Sequence, residues 1–185
     1  MKQMIKLGLI LALFTSVACV SLALVSNFTS GAIERAAQKE LNEGLRTVFA
    51  DADAFSPAQG TFTAAAGVTI DAVYMAEKGG TVIGSVVQAT GSTYDKATIL
   101  VGITSNKTIT SIQFLSLTDT PGFGQKAAEP AFKDQFTGKS ADDNFALGDD
   151  IDAISGSTIT TKGVIAIISS AVESGLAAIH NGGSN

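Results

Sequence analysis

The sequence predicts an α+β domain carried behind a single N-terminal transmembrane helix. Three features point there: an uncharged apolar run near the N-terminus, four successive strand-like runs, and a long amphipathic helix late in the chain. Strands followed by helices, rather than alternating with them, suggest an antiparallel sheet packed by helices. The chain divides accordingly into an anchor (residues 1–30), a juxtamembrane helix and linker (31–60) and a domain (61–185).

The anchor comes first. Leu7 to Val25 contains no charged residue and is mostly Leu, Ile, Ala and Val. As a helix it reaches roughly 28 Å, close to the hydrocarbon thickness of a bilayer. Lys2 and Lys6 precede it, and Glu34 and Arg35 are the first charges after it. The excess of lysine on the near side predicts a cytoplasmic N-terminus and a domain on the outer side of the cell (inner) membrane. A cleaved signal peptide would need a shorter apolar core, whereas here the run continues through Val20–Val25. Ser16-Val17-Ala18-Cys19 is loosely like a lipoprotein box but lacks its leucine and sits mid-run. The expectation is an uncleaved single span.

Ala32 to Phe49 reads as a helix continuing from the span, with Ile33, Ala37, Leu41, Leu45 and Val48 at spacings of three and four. Ser56-Pro57 and Gly60 mark a break. Val68–Ala76, Thr81–Ala89, Ala97–Thr104 and Thr108–Leu117 are rich in Val, Ile and Thr, as strands favour. Lys78-Gly79-Gly80 and Ser105-Asn106-Lys107 suit hairpin turns, and Thr90–Asp95 reads as a longer loop. A helix is expected over Ala127–Phe136. The last helix, about Ile159 to His180, has an apolar face at Val164, Ile168, Ala171, Val172, Gly175 and Ile179. A Gly-Gly-Ser-Asn tail closes the chain.

Composition narrows the functions. Of the 185 residues 45% are hydrophobic, enough for a real core. The net charge of −5 and the lack of a Lys/Arg cluster argue against nucleic-acid binding. Cys19, in the apolar run, is the only cysteine, so the domain has none to build a disulfide, an iron–sulfur cluster or a cysteine zinc site. No metal site is expected. His180, the only histidine, suits a solvated place near a helix C-terminus. No Gly-x-Gly-x-x-Gly follows a strand and opens a helix, so no nicotinamide fingerprint is present.

Chemistry concentrates in two stretches. In Asp152-Ala153-Ile154-Ser155-Gly156-Ser157-Thr158-Ile159-Thr160-Thr161, a small-residue turn brings a threonine hydroxyl to the start of the last helix. Helix N-termini present outward N–H groups and a favourable dipole to a phosphate, and Gly156 permits close backbone approach. The same residues also suit an ordinary helix cap. In Thr118-Asp119-Thr120-Pro121-Gly122-Phe123-Gly124, Pro121-Gly122 is a type II turn signal.

The first stretch resembles the flavinylation motif Asp-x-x-Ser/Thr-Gly-Ala-Thr of the FMN-binding domain family, with Ser157 where alanine is usual. The second resembles that family's Glu-Thr-Pro-Gly-Leu-Gly loop, with Asp119 for glutamate and Phe123 for leucine. Phe132-Lys133-Asp134-Gln135-Phe136-Thr137-Gly138-Lys139 resembles its Phe-x-x-Gln-Phe-x-Gly-Lys segment. The three occur in family order, and the resemblance covers about residues 68 to 175. Within the family the chain is most similar to G subunits of Rnf-type membrane ferredoxin:NAD oxidoreductases, which pump sodium ions or protons. The C subunits of sodium-pumping NADH:quinone reductases are similar but longer.

The resemblance implies FMN joined by a phosphoester to Thr158 and installed by a flavin transferase that recognises Asp152; turn capping is the other role open to Asp152. It implies cofactor contacts from Ser155, Gly156, Ser157, Thr120, Pro121, Gly122, Phe123, Gly124, Thr161 and Lys162, with Phe123 on the flavin ring. Lys162 would approach the phosphate or face water. Lys126 would sit by the N1/C2=O edge of the flavin or be solvated. The implied function is electron transfer as one subunit of an ion-translocating complex whose other membrane and redox subunits hold the remaining centres. On this reading the chain is part of a translocase, and whether it is an enzyme in isolation stays open. The competing readings are a C-type subunit of a sodium-pumping NADH:quinone reductase and a membrane-anchored binding module without a cofactor.

Overall fold

The computed structural model describes residues 2–182; the tail beyond 182 and the side chain of Lys2 lie outside the described part. The chain divides into two compact units, Met1–Leu41 and Asn42–Asn185. The second takes in the end of the first helix and a short strand that precede residue 61.

Helix α1 runs without interruption over Lys2–Val48, as expected from the join between span and juxtamembrane segment. The part from Gln3 on is long and apolar enough to cross a membrane. From Ile5 to Ile33 its leucines, isoleucines and valines stand exposed, Leu22 by 70% and Leu7 by 67%. Its hydroxyls bond within the helix: Thr15 Oγ1 donates to the Leu11 carbonyl at 3.1 Å, Ser16 Oγ to Ala12 at 2.8 Å and Ser21 Oγ to Val17 at 2.8 Å. Such back-bonding satisfies polar groups where no water is present, as hydrocarbon demands.

The second unit is built on a five-stranded antiparallel meander in the order β1-β2-β3-β4-β5. The strands are β1 (Ala54–Pro57), β2 (Val68–Lys78), β3 (Thr81–Ser92), β4 (Lys96–Thr104) and β5 (Ile109–Leu117). The four expected strands are present. β1 replaces the expected break at Ser56-Pro57: it pairs only with β2, and an edge strand tolerates proline. The loop expected over Thr90–Asp95 is shorter, because β3 continues to Ser92, which pairs with Lys96. Gly91 is a strand residue there; a Cβ on it would lie 2.6 Å from Ile167 Cγ1, so its smallness serves packing rather than a turn.

One face of the sheet carries the core. Register aligns Val73 with Val87, Val87 with Val101 and Val101 with Ile112, a buried apolar row across four strands. Helix α3 (Thr158–Gly182) covers this face through Val164, Ile167, Ile168, Ala171 and Val172. It passes the length and composition test for a span, but half of that window is buried, as befits a core helix. Of the expected apolar face, Ile179 is only half-buried.

The opposite face is covered by the end of α1. Leu45, Val48 and Phe49 are buried, and Gly44, Gly84 and Gly102 make the close approach possible. A Cβ on Gly102 would lie 2.6 Å from Val48 Cγ1. Thr110 Oγ1 donates to the Val48 carbonyl at 2.6 Å, capping the helix end.

Between β5 and α3 the expected helix over Ala127–Phe136 is instead three short pieces. A 3₁₀ turn over Gly124–Ala128 is followed by α2 (Pro130–Lys133) and a second 3₁₀ turn over Asp134–Phe136. Pro130 explains the break: it occupies the first helical position and holds Glu129 extended, at φ −73° and ψ 148°. Phe132, Phe136 and Phe145 are buried here, with edge-to-face packing between the first two at 5.6 Å.

Candidate functional site

The site forms where three connections meet at one end of the sheet: the β3–β4 loop, the stretch after β5, and the turn that opens α3. Asp119, 1% exposed, ties them together. Its carboxylate accepts from Thr93 Oγ1 at 2.5 Å, Thr160 Oγ1 at 2.5 Å, the Asp95 N–H at 2.9 Å and the Tyr94 N–H at 3.2 Å. Burial pushes its pKa up, but the hydrogen bonds from Thr160, Thr93, Asp95 and Tyr94 outweigh that and hold it below the usual carboxylate value. Gly124 makes room for the clamp: a Cβ there would lie 2.6 Å from Asp119 Cβ and 2.7 Å from Thr160 Oγ1.

Both motifs adopt the turns their residues suggest. The Phe123 N–H donates to the Thr120 carbonyl at 3.2 Å across Pro121-Gly122, and Gly122 has φ +78°. The Ser157 N–H donates to the Ile154 carbonyl at 2.9 Å across Ser155-Gly156, and Gly156 has φ +77°. Positive φ at the third position of each turn is where glycine is needed. The Phe123 ring lies against the second turn, 3.5 Å from where a Gly156 Cβ would stand. The third motif joins them: Gln135 Oε1 accepts from the Asp152 N–H at 2.8 Å.

These segments surround an open cavity of about 500 Å³, lined by Tyr94, Thr120, Phe123, Gly124, Gly156, Ser157, Thr158, Ile159 and Thr160. That volume is within the ~300–1,000 Å³ usual for ligand and cofactor sites. Thr158 is the first residue of α3 and is exposed. Tyr94, Phe123 and Ile159 are 68%, 56% and 62% exposed. Among the described residues they are the only large hydrophobic side chains so exposed outside α1, and they share one cavity. Such a cluster marks a binding surface, whereas scattered apolar residues would not.

The residues expected at a cofactor divide in two. Thr120, Phe123, Gly124, Gly156, Ser157 and Thr158 line the cavity; Ser155, Pro121, Gly122, Thr161 and Lys162 do not. Pro121 and Gly122 shape their turn. Thr161 is fully buried: its hydroxyl accepts from the Ile154 N–H at 3.2 Å and donates to the Ser157 carbonyl at 3.0 Å, so it holds the motif turn to the helix. Lys162 and Lys126 are exposed and have no partner among the described residues. The Asp152 carboxylate is also exposed and has no hydrogen-bond partner among them.

Capping fails for the whole motif. Among the described residues no side chain accepts a hydrogen bond from the first-turn N–H groups of α3. These groups have no intrahelical acceptor either, so they are open to a ligand. Tyr94, Ile159 and Asp119 were absent from the expected site. Tyr94 lay in a segment read only as loop, Ile159 read as helix surface, and Asp119 as a family substitution.

A domain of this fold, with a hydroxyl at an uncapped helix N-terminus beside a cavity rimmed by exposed apolar side chains, is a cofactor- or ligand-carrying module. Comparison with known families and proteins makes the class specific. Residues 93–173 match the FMN-binding domain, and residues 1–48 match the RnfG N-terminal region. The G subunit of the Na(+)-translocating ferredoxin:NAD(+) oxidoreductase complex of Acetobacterium woodii is 34% identical, over 93% of this chain and 91% of that one. The G subunit of the proton-translocating ferredoxin:NAD(+) oxidoreductase complex of Clostridium ljungdahlii is 33% identical, over 75% of each. The G subunit of the ion-translocating oxidoreductase complex of Methanosarcina acetivorans is 28% identical, over 93% and 94%. Among solved structures, NqrC of Shewanella oneidensis has a TM-score of 0.49 and 23% identity, over 60% of this chain and 59% of that one. The chain belongs to the family of G subunits of ion-translocating ferredoxin:NAD oxidoreductase (Rnf) complexes.

Proposed function

We propose that this chain is the flavin-carrying electron-transfer subunit of an Rnf-type complex, with FMN joined by a phosphoester to Thr158. The observation that carries the reading is the meeting, at one cavity, of an exposed Thr158 at an uncapped helix N-terminus with Tyr94, Phe123 and Ile159. The residues present fit the group. The first-turn N–H groups and the helix dipole favour the phosphate. The three apolar side chains offer surface to the ring system, and Gly156 leaves the turn open beside Phe123. FMN supplies one- and two-electron chemistry when bound.

The protein's part is to hold, orient and expose that group. Asp119 keeps the three cavity-forming segments in register, and the tether at Thr158 prevents loss by diffusion. Asp152, exposed and unbonded while its backbone is anchored by Gln135, is available to a flavin transferase during maturation. Lys126 and Lys162 are solvated surface residues on this reading, consistent with their exposure. The apolar part of α1 anchors the chain in the membrane, N-terminus inside and domain outside. With no cysteine in the domain and no nicotinamide fingerprint, the remaining redox centres belong to partner subunits.

The test is Thr158→Ala, produced with the native flavin transferase. Flavin fluorescence that survives denaturation is expected in the unaltered chain and absent from the variant, whose circular dichroism and melting temperature stay close to the parent's. Equal retention of flavin by the variant would refute the attachment.

A further inference from the structure

Ser157 is a serine in the helix N-cap place that does not cap. Its carbonyl accepts the first helical hydrogen bond, from the Thr161 N–H at 3.0 Å, which defines the position. A serine there ordinarily turns its hydroxyl onto an N–H two or three residues on. Here the hydroxyl has no hydrogen-bond partner among the described residues. The residue is nevertheless only 7% exposed and lines the cavity next to Thr158. Among the described residues no side-chain oxygen or nitrogen is both fully buried and unbonded, so this hydroxyl opens onto the cavity, where a ligand or water can satisfy it. The free hydroxyl and the first-turn N–H groups therefore stand at the same helix end, beside the same cavity.

We propose that Ser157 is a phosphate ligand: its Oγ–H donates a hydrogen bond to a phosphate oxygen of the group on Thr158. The proposal rests on the attachment of FMN at Thr158 and adds to it. The family motif has alanine at this position, so this chain supplies a donor that the motif does not. A hydroxyl donating to a charged acceptor makes a short, strong bond, stronger than one between neutral groups. Ser157 is a positioning residue on this account: it orients the phosphoester and thereby restricts the angle at which the flavin leaves the helix end.

Phosphorus-31 NMR of the full chain, flavinylated by its transferase in detergent, tests this. The unaltered protein and Ser157→Ala are compared, with peptide mass mapping of the flavin in each. The expected result is one flavin on Thr158 in both, a phosphoester resonance that differs between the two native proteins, and coincidence of the two resonances in denaturant. Coincident native resonances with flavin in place on Thr158 would overturn the role of Ser157 and leave the attachment standing. A flavin-free Thr158 peptide in the unaltered protein would overturn the attachment itself, and this proposal with it. Circular dichroism checks that Ser157→Ala is folded. If it is not, Ser157→Cys, similar in shape and a much weaker donor, serves in the same comparison with the same two outcomes.

Discussion

Asp119 is the residue on which the site most depends. One of its oxygens accepts from Thr93 Oγ1 and the Asp95 N–H, the other from Thr160 Oγ1 and the Tyr94 N–H. In Asp119→Asn one oxygen becomes an NH₂ group. A threonine hydroxyl can rotate to accept from it, but a backbone N–H cannot. One N–H is left facing a donor, at a cost of about 1–3 kcal/mol. A lower melting temperature is expected, with the flavin-binding end of the domain affected first. The native carboxyl titrates below its unfolded value of about 3.9, so its contribution to stability is fully present above that pH. It is lost as pH falls from about 4 through the native pKa. Denaturant melts from about pH 6 to about pH 3 should show a loss in the unaltered domain that is smaller in Asp119→Asn; equal slopes would contradict it. Thr161 marks the limit of reading such residues in sequence. Its type and place suit phosphate contact as well as internal bonding, and only packing turned its hydroxyl inward.

At the scale of elements, α3 must lie low enough on the meander for Thr160 to reach Asp119. Gly163 permits that: a Cβ there would lie 2.4 Å from the Ser92 carbonyl oxygen and 2.8 Å from Thr93 Cα. These are backbone atoms, so the helix or the β3–β4 loop must move. Gly163→Ala should therefore destabilise the domain by about 1–3 kcal/mol despite alanine's better helix propensity. It should also reduce flavin incorporation, because the same loop holds Tyr94. A thermal melt and a flavin-to-protein ratio check both, and an alanine variant at least as stable as the parent would refute the argument. Four strands and both long helices were legible because their apolar spacing is set by local geometry. The short strand β1 was not: four residues ending in proline carry no period, and pairing with β2 alone makes them a strand. Gly91 misled for the opposite reason, since its smallness answers Ile167 on a distant helix. The helix expected over Ala127–Phe136 overlooked the force of Pro130 on Glu129.

At the scale of the whole molecule, the two motifs and the apolar N-terminal helix were readable, while the way the motifs build one cavity was not. The cavity takes Tyr94 from one loop, Phe123 from another and Ile159 from a helix, brought together only by the fold. The anchor account predicts that protease added to intact cells or correctly oriented spheroplasts digests the domain and spares a short N-terminal fragment. Access only from the cytoplasmic side, or a mature N-terminus beyond Cys19, would reverse it. The central claim is the flavin on Thr158. Peptide mass spectrometry of the protein purified with its native transferase tests it most directly. The account predicts a single flavin-bearing peptide whose fragment ions place the FMN mass on Thr158. A flavin on any other residue, or an unmodified Thr158 in every molecule, would contradict it.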